Sequence, residues 1–290
     1  MDTGNYTGFN LTLDESGPAR GLARIEFNTP ERLNGMTSGI KRDLIEAVTQ
    51  AQMDNAVRVL MFIGQGRAFC AGDELGGYTD PLPDDAASQA LAPQLPAGHD
   101  STMGTYNGLR TVSQELNTRI RQLDKLTIAA INGVAIQTGF SLALACDFRI
   151  ASSSARLGSA TLRFGLLPDE GGQYLVVRAL GLSQAMDFFM RKRILSAAEA
   201  HELGLVHEVV APDELENATR ALAAELAQGP QVAMRMLKRS LYNAAELPWN
   251  AALDDIASKT AVVDHHPDAQ EGVSAFKEKR EASFNAWLEK

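Results

Sequence analysis

Residues Val57 to Ile63 read Val-Arg-Val-Leu-Met-Phe-Ile, a nearly continuous apolar run cut off by Gly64-Gln65-Gly66. A strand with this pattern is apolar on both faces, so both faces must be covered. The surrounding sequence alternates in the same sense. Leu22–Phe27 reads as a strand ended by Asn28-Thr29-Pro30, and a helix capped by Ser38 runs to about Met53 with Ile40, Leu44, Ile45 and Val48 on one side. Thr127–Ile131 is a second apolar strand closed by Asn132-Gly133, Phe140–Ala145 a short apolar helix, and Cys146–Ser152 a returning strand. Between them, Tyr106–Leu123 carries Leu109, Val112, Leu116 and Ile120 at helical spacing. Pro81–Thr102 has no period and reads as a long surface loop or as a lid over a pocket. Helical patterns dominate from Tyr174 onward, at 174–180, 184–191, 197–203, 212–227, 231–244 and 248–262, with a tail from Asp268. No internal repeat or linker interrupts the chain. The expectation is an α/β core over residues 1–210 followed by a helical region over 211–290.

At 290 residues the chain can bury a substantial core. Its formal net charge of −9 disfavours a nucleic-acid backbone or an anionic membrane as partner, but a few local cations still suffice for an anionic ligand. Two cysteines, Cys70 and Cys146, suggest no disulfide framework and suit a reducing compartment. Residues 1–10 are polar and no apolar run approaches membrane-spanning length, so a soluble, cytoplasmic protein is expected.

Two glycine-bearing segments follow strands directly. One is Gly66-Arg67-Ala68-Phe69-Cys70-Ala71-Gly72-Asp73-Glu74-Leu75; the other runs from Ile131-Asn132-Gly133 through Gln137-Thr138-Gly139 to Ser141 and opens a helix. Backbone N–H groups in such turns and at helix starts are free donors, and two of them converging on one oxygen would stabilise a thioester enolate. Taken singly, each segment is equally well explained by the need for glycine in a tight strand-to-helix turn.

Together with Pro30-Glu31-Arg32-Leu33-Asn34, the LALACDFRIAS stretch, GLLPDEGGQYL and the tail EGVSAFKEKR, these segments resemble the crotonase (enoyl-CoA hydratase/isomerase) superfamily from about Ala23 to Phe284. The resemblance implies a spiral of ββα units with a helical C-terminal region that forms trimers, often paired into hexamers. It implies an acyl-CoA thioester as substrate, with coenzyme A entering only as part of it and no other cofactor. The oxyanion N–H groups fall on Asp73 and Thr138. Arg67, Ala68, Cys70, Ala71 and Gly72 fall where CoA is held, with backbone carbonyls on the adenine and the Arg67 cation near the phosphates. Phe276 and Lys279 match tail positions that complete a neighbouring subunit's CoA pocket.

The departures from the family pattern bear on the reaction. Ser141 and Thr161 occupy the positions of the two hydratase glutamates, and neither hydroxyl can act as a carboxylate base near neutral pH. Gln137 and Thr138 replace small glycines, and the Asp73 side chain is expected to point to solvent, away from the enolate. The acids left in the neighbourhood are Asp169 and Glu170, in a turn where family isomerases carry a lone catalytic acid. Their plain structural roles are a helix N-cap and a first-turn acid. Glu170 is the preferred base, and double-bond isomerisation ranks above hydration. Alternatives are hydrolysis or C–C cleavage of a cyclic CoA ester with acids from the 78–107 loop, or a non-catalytic acyl-CoA-binding protein. His265-His266 reads as a surface pair without the partners of a metal site, His99 as a solvated loop residue, and Cys70 and Cys146 as packing residues. Trp249 and Trp287 read as core or interface, and no P-loop or dinucleotide fingerprint is found.

Overall fold

The computed structural model describes residues 1–73 and 101–289, so the long excursion from Pro81, His99 included, lies outside them up to Asp100. In chain order the elements begin β1 (Gly4–Tyr6), β2 (Phe9–Leu13), β3 (Leu22–Phe27), α1 (Ser38–Met53), β4 (Val59–Gly64) and β5 (Ala68–Cys70). After the undescribed stretch come α2 (Thr102–Gly108), a π-helical turn (Leu109–Ser113), α3 (Gln114–Gln122), β6 (Leu126–Ile131), β7 (Val134–Ile136) and α4 (Thr138–Ala145). They continue with β8 (Phe148–Ser152), β9 (Arg156–Gly158), α5 (Gly172–Met190), β10 (Ile194–Ser196), α6 (Ala197–Glu202) and β11 (Glu208–Val210). The chain ends in α7 (Leu215–Gln228), α8 (Gln231–Ala244), α9 (Trp249–Asp264) and α10 (Pro267–Glu278).

The strands alternate between two sheets. A seven-stranded sheet has the order β1-β2-β3-β4-β6-β8-β11, parallel from β3 onward, and a four-stranded sheet has the order β10-β9-β7-β5. Thus β4, β6 and β8 lie in the large sheet, while β5, β7 and β9, which follow them, lie in the small one. Each turn of the chain adds one strand to each sheet, the ββα spiral that the sequence motifs implied.

Every residue of β4 is buried, as its composition required. Leu60 and Phe62 join Ile40, Leu44 and Val48 of α1 in the main core. Val59, Met61 and Ile63 face the other way, against Ile128, Ala130 and the α7 residues Ala223, Leu226 and Ala227. Each large side chain removed from water this way contributes roughly 1.5–3 kcal/mol. Helix α7 belongs to the C-terminal helical region, yet it is the layer that covers the second face of β4.

Three local details differ from the sequence reading. Helix α1 is capped by Thr37, whose hydroxyl accepts from the Ile40 N–H at 3.2 Å, one residue before the expected Ser38. The rod expected over 106–123 is present, but at Leu109–Ser113 it widens into a π-turn, which rotates Ser113 towards α1. The third is only one of continuity: the expected helices at 174–180 and 184–191 run on as α5, and the expected gap between them is the break at Gly181 (φ 75°). Strands β1 and β2 and the short β5, β7, β9, β10 and β11 were not expected, because three to five residues carry too little period to read.

The two glycine-bearing segments meet through backbone. A Cβ built on Gly139 would lie 2.1 Å from the Cys70 carbonyl oxygen, closer than any side chain can approach. This contact brings the start of α4 against the end of β5. Gly139→Ala is therefore expected to lower unfolding free energy by at least about 2 kcal/mol in urea titration, through overpacking of a backbone contact that cannot relax.

Candidate active site

Lys41 lies on the buried face of α1, in register with Leu44 and Val48, and is 2% exposed. Burying an ammonium costs several kcal/mol unless it is paired and hydrogen-bonded. Its three N–H donors find three acceptors: Glu170 Oε1 at 2.6 Å, Asp73 Oδ2 at 2.8 Å and Ser113 Oγ at 2.9 Å. Burial works against the charge on Lys41, but Glu170 and Asp73 outweigh it and hold the ammonium above its ordinary pKa.

Thr138, the first residue of α4, joins the same cluster through its side chain. Its hydroxyl lies 2.7 Å from Asp73 Oδ1 and 2.9 Å from Glu170 Oε1. A hydroxyl has one proton to donate, so both contacts are satisfied only when one of the carboxyls is itself protonated. Glu170 is the buried one, at 2% exposure. Burial pushes its carboxyl up to about 7; the Lys41 ammonium pulls it down and the Asp73 charge pushes it up further. One ammonium cannot neutralise two carboxylates, and the acid most cut off from water keeps the proton.

The expected placement of Asp73 holds only in part. Its carboxylate bonds Lys41 and Thr138 while its side chain stays 41% exposed, so it is a countercharge at the edge of the buried ammonium. Its backbone follows the expected turn. In the isolated bridge between Met36 and Asp73, Met36 donates to the Gly72 carbonyl at 3.0 Å, so the ladder uses Met36 and leaves the Asp73 N–H facing away. The N–H of Thr138 belongs to the first turn of α4, where amides lack intrahelical acceptors.

Neither Asp169 nor Glu170 takes the capping role. Helix α5 begins at Gly172 with Gly171 as its cap (φ 93°) and no side-chain cap, so both carboxyls are left for other partners. Asp169 sits in a second network. Its Oδ1 lies 3.5 Å from Gln137 Nε2, Gln137 Oε1 accepts from Ser159 Oγ at 2.8 Å, and Ser159 contacts Thr161 at 3.1 Å. Burial raises the pKa of Asp169. Gln137 holds φ 49°, ψ −105°, a conformation suited to glycine and costing roughly 1–3 kcal/mol in any other residue. Ser141 is buried, and its hydroxyl lies where a Cβ on Gly172 would sit, 2.5 Å away, so it packs against the start of α5.

The turn before Asp73 divides into buried and accessible parts. Ala68 and Cys70 are wholly buried, and the Ala68 carbonyl accepts from Asn34 Nδ2 at 2.8 Å and Asn132 Nδ2 at 3.1 Å. That carbonyl is occupied in shaping the turn. Gly72 is likewise buried, whereas Arg67 is exposed and Ala71 half-buried. Burial pushes the Cys70 thiol up to about 12, which suits a packing role. Phe276 and Lys279 are exposed at the end of α10 and make no hydrogen bond with the cluster among the described residues. His266 is not a surface residue like His265: its Nδ1 accepts from the Asp268 N–H at 3.2 Å and caps α10, and its ring meets Trp287 edge-on. Trp249 is exposed. Among the described residues, no group of three or more His, Cys, Asp or Glu side chains is placed to hold a metal ion, and no helix is long and apolar enough to cross a membrane.

Lys41, Ser113, Ser159 and the hydroxyl of Thr138 were not singled out from sequence, and Gln137 was noted only as a replacement for glycine. Lys41 did carry a signal: it falls three residues before Leu44 and seven before Val48, on the stripe that must be buried.

A ββα spiral of this kind is the crotonase fold. Comparison with known proteins agrees. The family described as Enoyl-CoA hydratase/isomerase matches residues 18–286. The chain is 33% identical to 1,2-epoxyphenylacetyl-CoA isomerase of Escherichia coli, covering 91% of this chain and 95% of that protein. It is 35% identical to mitochondrial enoyl-CoA hydratase domain-containing protein 2 of Bos taurus, covering 93% and 86%. The crystal structure of an enoyl-CoA hydratase from Bacillus anthracis superposes with a TM-score of 0.83 at 27% identity, covering 96% and 98%. The chain belongs to the enoyl-CoA hydratase/isomerase family.

The charge arrangement makes two opposite changes to the titration of Glu170. Asp73→Asn removes a like charge and is expected to lower the Glu170 pKa; Lys41→Met removes the attracting cation and is expected to raise it. Infrared titration of the carboxyl bands, with Glu170→Gln identifying the band, reads both shifts without any substrate.

Proposed function

We propose that the protein is an acyl-CoA isomerase that shifts a double bond through a thioester enolate, with Glu170 as the single acid and base. The observation that carries this reading is the protonation balance around Glu170. A carboxyl raised to about 7 is present in both protonation states at neutral pH and is a stronger base than an ordinary carboxylate, which suits it to take a proton and return it. Hydration needs a second group to hold and activate water, and the positions that supply it hold Ser141 and Thr161. The backbone N–H groups of Asp73 and Thr138 are assigned to the thioester oxygen. The isomerase name of the Escherichia coli relative supports the same direction.

Coenzyme A is assigned to the accessible part of the first turn, with Arg67 towards its phosphates and Ala71 at its edge. Phe276 and Lys279 are assigned to the CoA pocket of an adjoining subunit. Phe276 is 86% exposed, and α5, α8 and α9 also expose Met186, Leu241, Trp249 and Ile256. Apolar surface on this scale marks an interface, and a trimer or a hexamer covers it. Light scattering at micromolar concentration is expected to give one of these masses; a monomer would remove Phe276 and Lys279 from the site.

The reaction is tested with a 3-enoyl-CoA. Glu170→Gln is expected to cut kcat by about 10²- to 10⁴-fold, the range for loss of a general base, while Asp169→Asn retains most of the rate. The base must be ionised to take the first proton, so kcat/KM of the native enzyme should fall as pH drops through about 7. Crotonyl-CoA hydration should be negligible. Brisk hydration, or full isomerase activity in both variants, would overturn the assignment.

A further inference from the structure

The side chains of the two residues assigned to the oxyanion hole are bonded to each other. Thr138 Oγ1 lies 2.7 Å from Asp73 Oδ1, so a hydrogen bond ties the start of α4 to the turn after β5. These are the two segments whose backbone N–H groups have to converge on one oxygen. A glycine at position 138 would supply the N–H but not this tie.

The same hydroxyl lies 2.9 Å from Glu170 Oε1. It has one proton for two carboxyls, so its direction depends on where the charges are. With Glu170 ionised, both neighbours are anions and compete for one donor. The Glu170 side chain is 1% exposed and that of Asp73 41%, so water reaches Asp73 and not Glu170. The charge cut off from water gains more from a hydrogen bond, and the hydroxyl points to Glu170. With Glu170 protonated, Asp73 is the remaining anion and takes the donor. This holds whichever Glu170 oxygen carries the proton. On Oε2 it leaves Oε1 a weaker, neutral acceptor; on Oε1 it donates to Thr138 itself. Among the described residues, three further titratable groups stand around the pair. Lys41 of α1 bonds both carboxyls, Cys70 of β5 carries a thiol that burial pushes up to about 12, and Asp169 faces Gln137.

We propose that Thr138 acts through its hydroxyl as a positioning residue that couples the oxyanion hole to the base: the hydroxyl turns from Glu170 to Asp73 when Glu170 takes a proton, and so ties the two oxyanion segments together while the enolate exists. The coupling to catalysis rests on Glu170 being the base proposed above; the turn of the hydroxyl does not. The substrate C–H gives its proton to Glu170 Oε2, the oxygen that Lys41 and Thr138 leave, and the electron pair stays on the substrate as the enolate. Thr138 keeps its own proton and only rotates about Cβ–Oγ1. Delivery of the Glu170 proton to the far carbon reverses the rotation.

The first arm of the test uses no substrate. Neutron diffraction from native crystals in D₂O, below and above the titration of Glu170 at about 7, locates the Thr138 deuterium. It is expected on the side of Asp73 in the acid form and of Glu170 in the basic form; the same partner in both overturns the coupling. The second arm uses a 3-enoyl-CoA. Thr138→Val keeps the β-branch and the backbone N–H but has no hydroxyl. It is expected to lower kcat about 10- to 100-fold on the plateau, with KM changed much less. It is also expected to move the acid limb of kcat/KM to higher pH, because ionised Glu170 loses a donor. Thr138→Ser is expected to restore both. A native kcat and limb in Thr138→Val, or the same loss in Thr138→Ser, overturns the positioning role. Where Thr138→Val does not fold, the neutron arm still decides. A hydroxyl that turns in a protein without isomerase activity upholds the switch and removes Glu170 as base.

Discussion

One buried ammonium organises the site. Lys41 comes from α1, Asp73 from the turn after β5, Ser113 from the π-turn, Thr138 from the start of α4 and Glu170 from the turn before α5. These five segments are far apart in sequence, and Lys41 or Thr138 touches every one of them. A charge in the interior is tolerated only where its partners are fixed in number and place. The requirement therefore constrains the backbone around it: the π-turn that brings Ser113 inward, the turn that sets the Asp73 carboxylate at its edge, and a helix start at Gly172 that leaves Glu170 uncapped. A cluster of this kind adds little net stability over an apolar core of the same volume. What it supplies is a fixed position for Glu170 and a raised carboxyl pKa.

Much of the fold could be read from the chain because the long elements carry strong periods. β3 and the α1 stripe were legible in this way, and the unbroken apolar run of β4 demanded two covering layers. The small sheet was not legible, since Arg156–Gly158 or Ile194–Ser196 is too short to alternate. The helix cap moved by one residue because Thr37 and Ser38 are chemically equivalent candidates, and only backbone geometry distinguishes them.

The site was legible where backbone does the work and obscure where side chains from distant segments meet. Glycine turns announce themselves, because only glycine permits the contact of Gly139 with Cys70. Glu170 stood out as an unusual acid beside a Gly-Gly pair. Its partners did not, because the pairing of Lys41 with Glu170 spans 129 residues and nothing local encodes it. Asp73 was placed only in part for the same reason. A carboxylate beside an oxyanion donor is expected to turn away unless a cation waits inside, and the cation belongs to another helix. Ala68 and Cys70 were assigned to CoA by the family resemblance alone, and nothing in the sequence signalled that two asparagines, Asn34 and Asn132, would bind the Ala68 carbonyl.

In the proposed reaction the Asp73 carboxylate by itself would oppose an enolate held by its own backbone N–H. The charge count of the cluster removes the difficulty. With Glu170 ionised, one ammonium and two carboxylates sum to minus one. When Glu170 takes the substrate proton, the cluster becomes neutral and the minus one moves onto the enolate. In the proposed transfer the total charge of cluster and substrate is the same before and after, so no new ion has to be solvated. Lys41 neutralises Asp73 throughout, and the field that the enolate meets is that of the oxyanion dipoles and not of a bare carboxylate. The proposed isomerisation moves one proton out and back and leaves the charge of the cluster where it began.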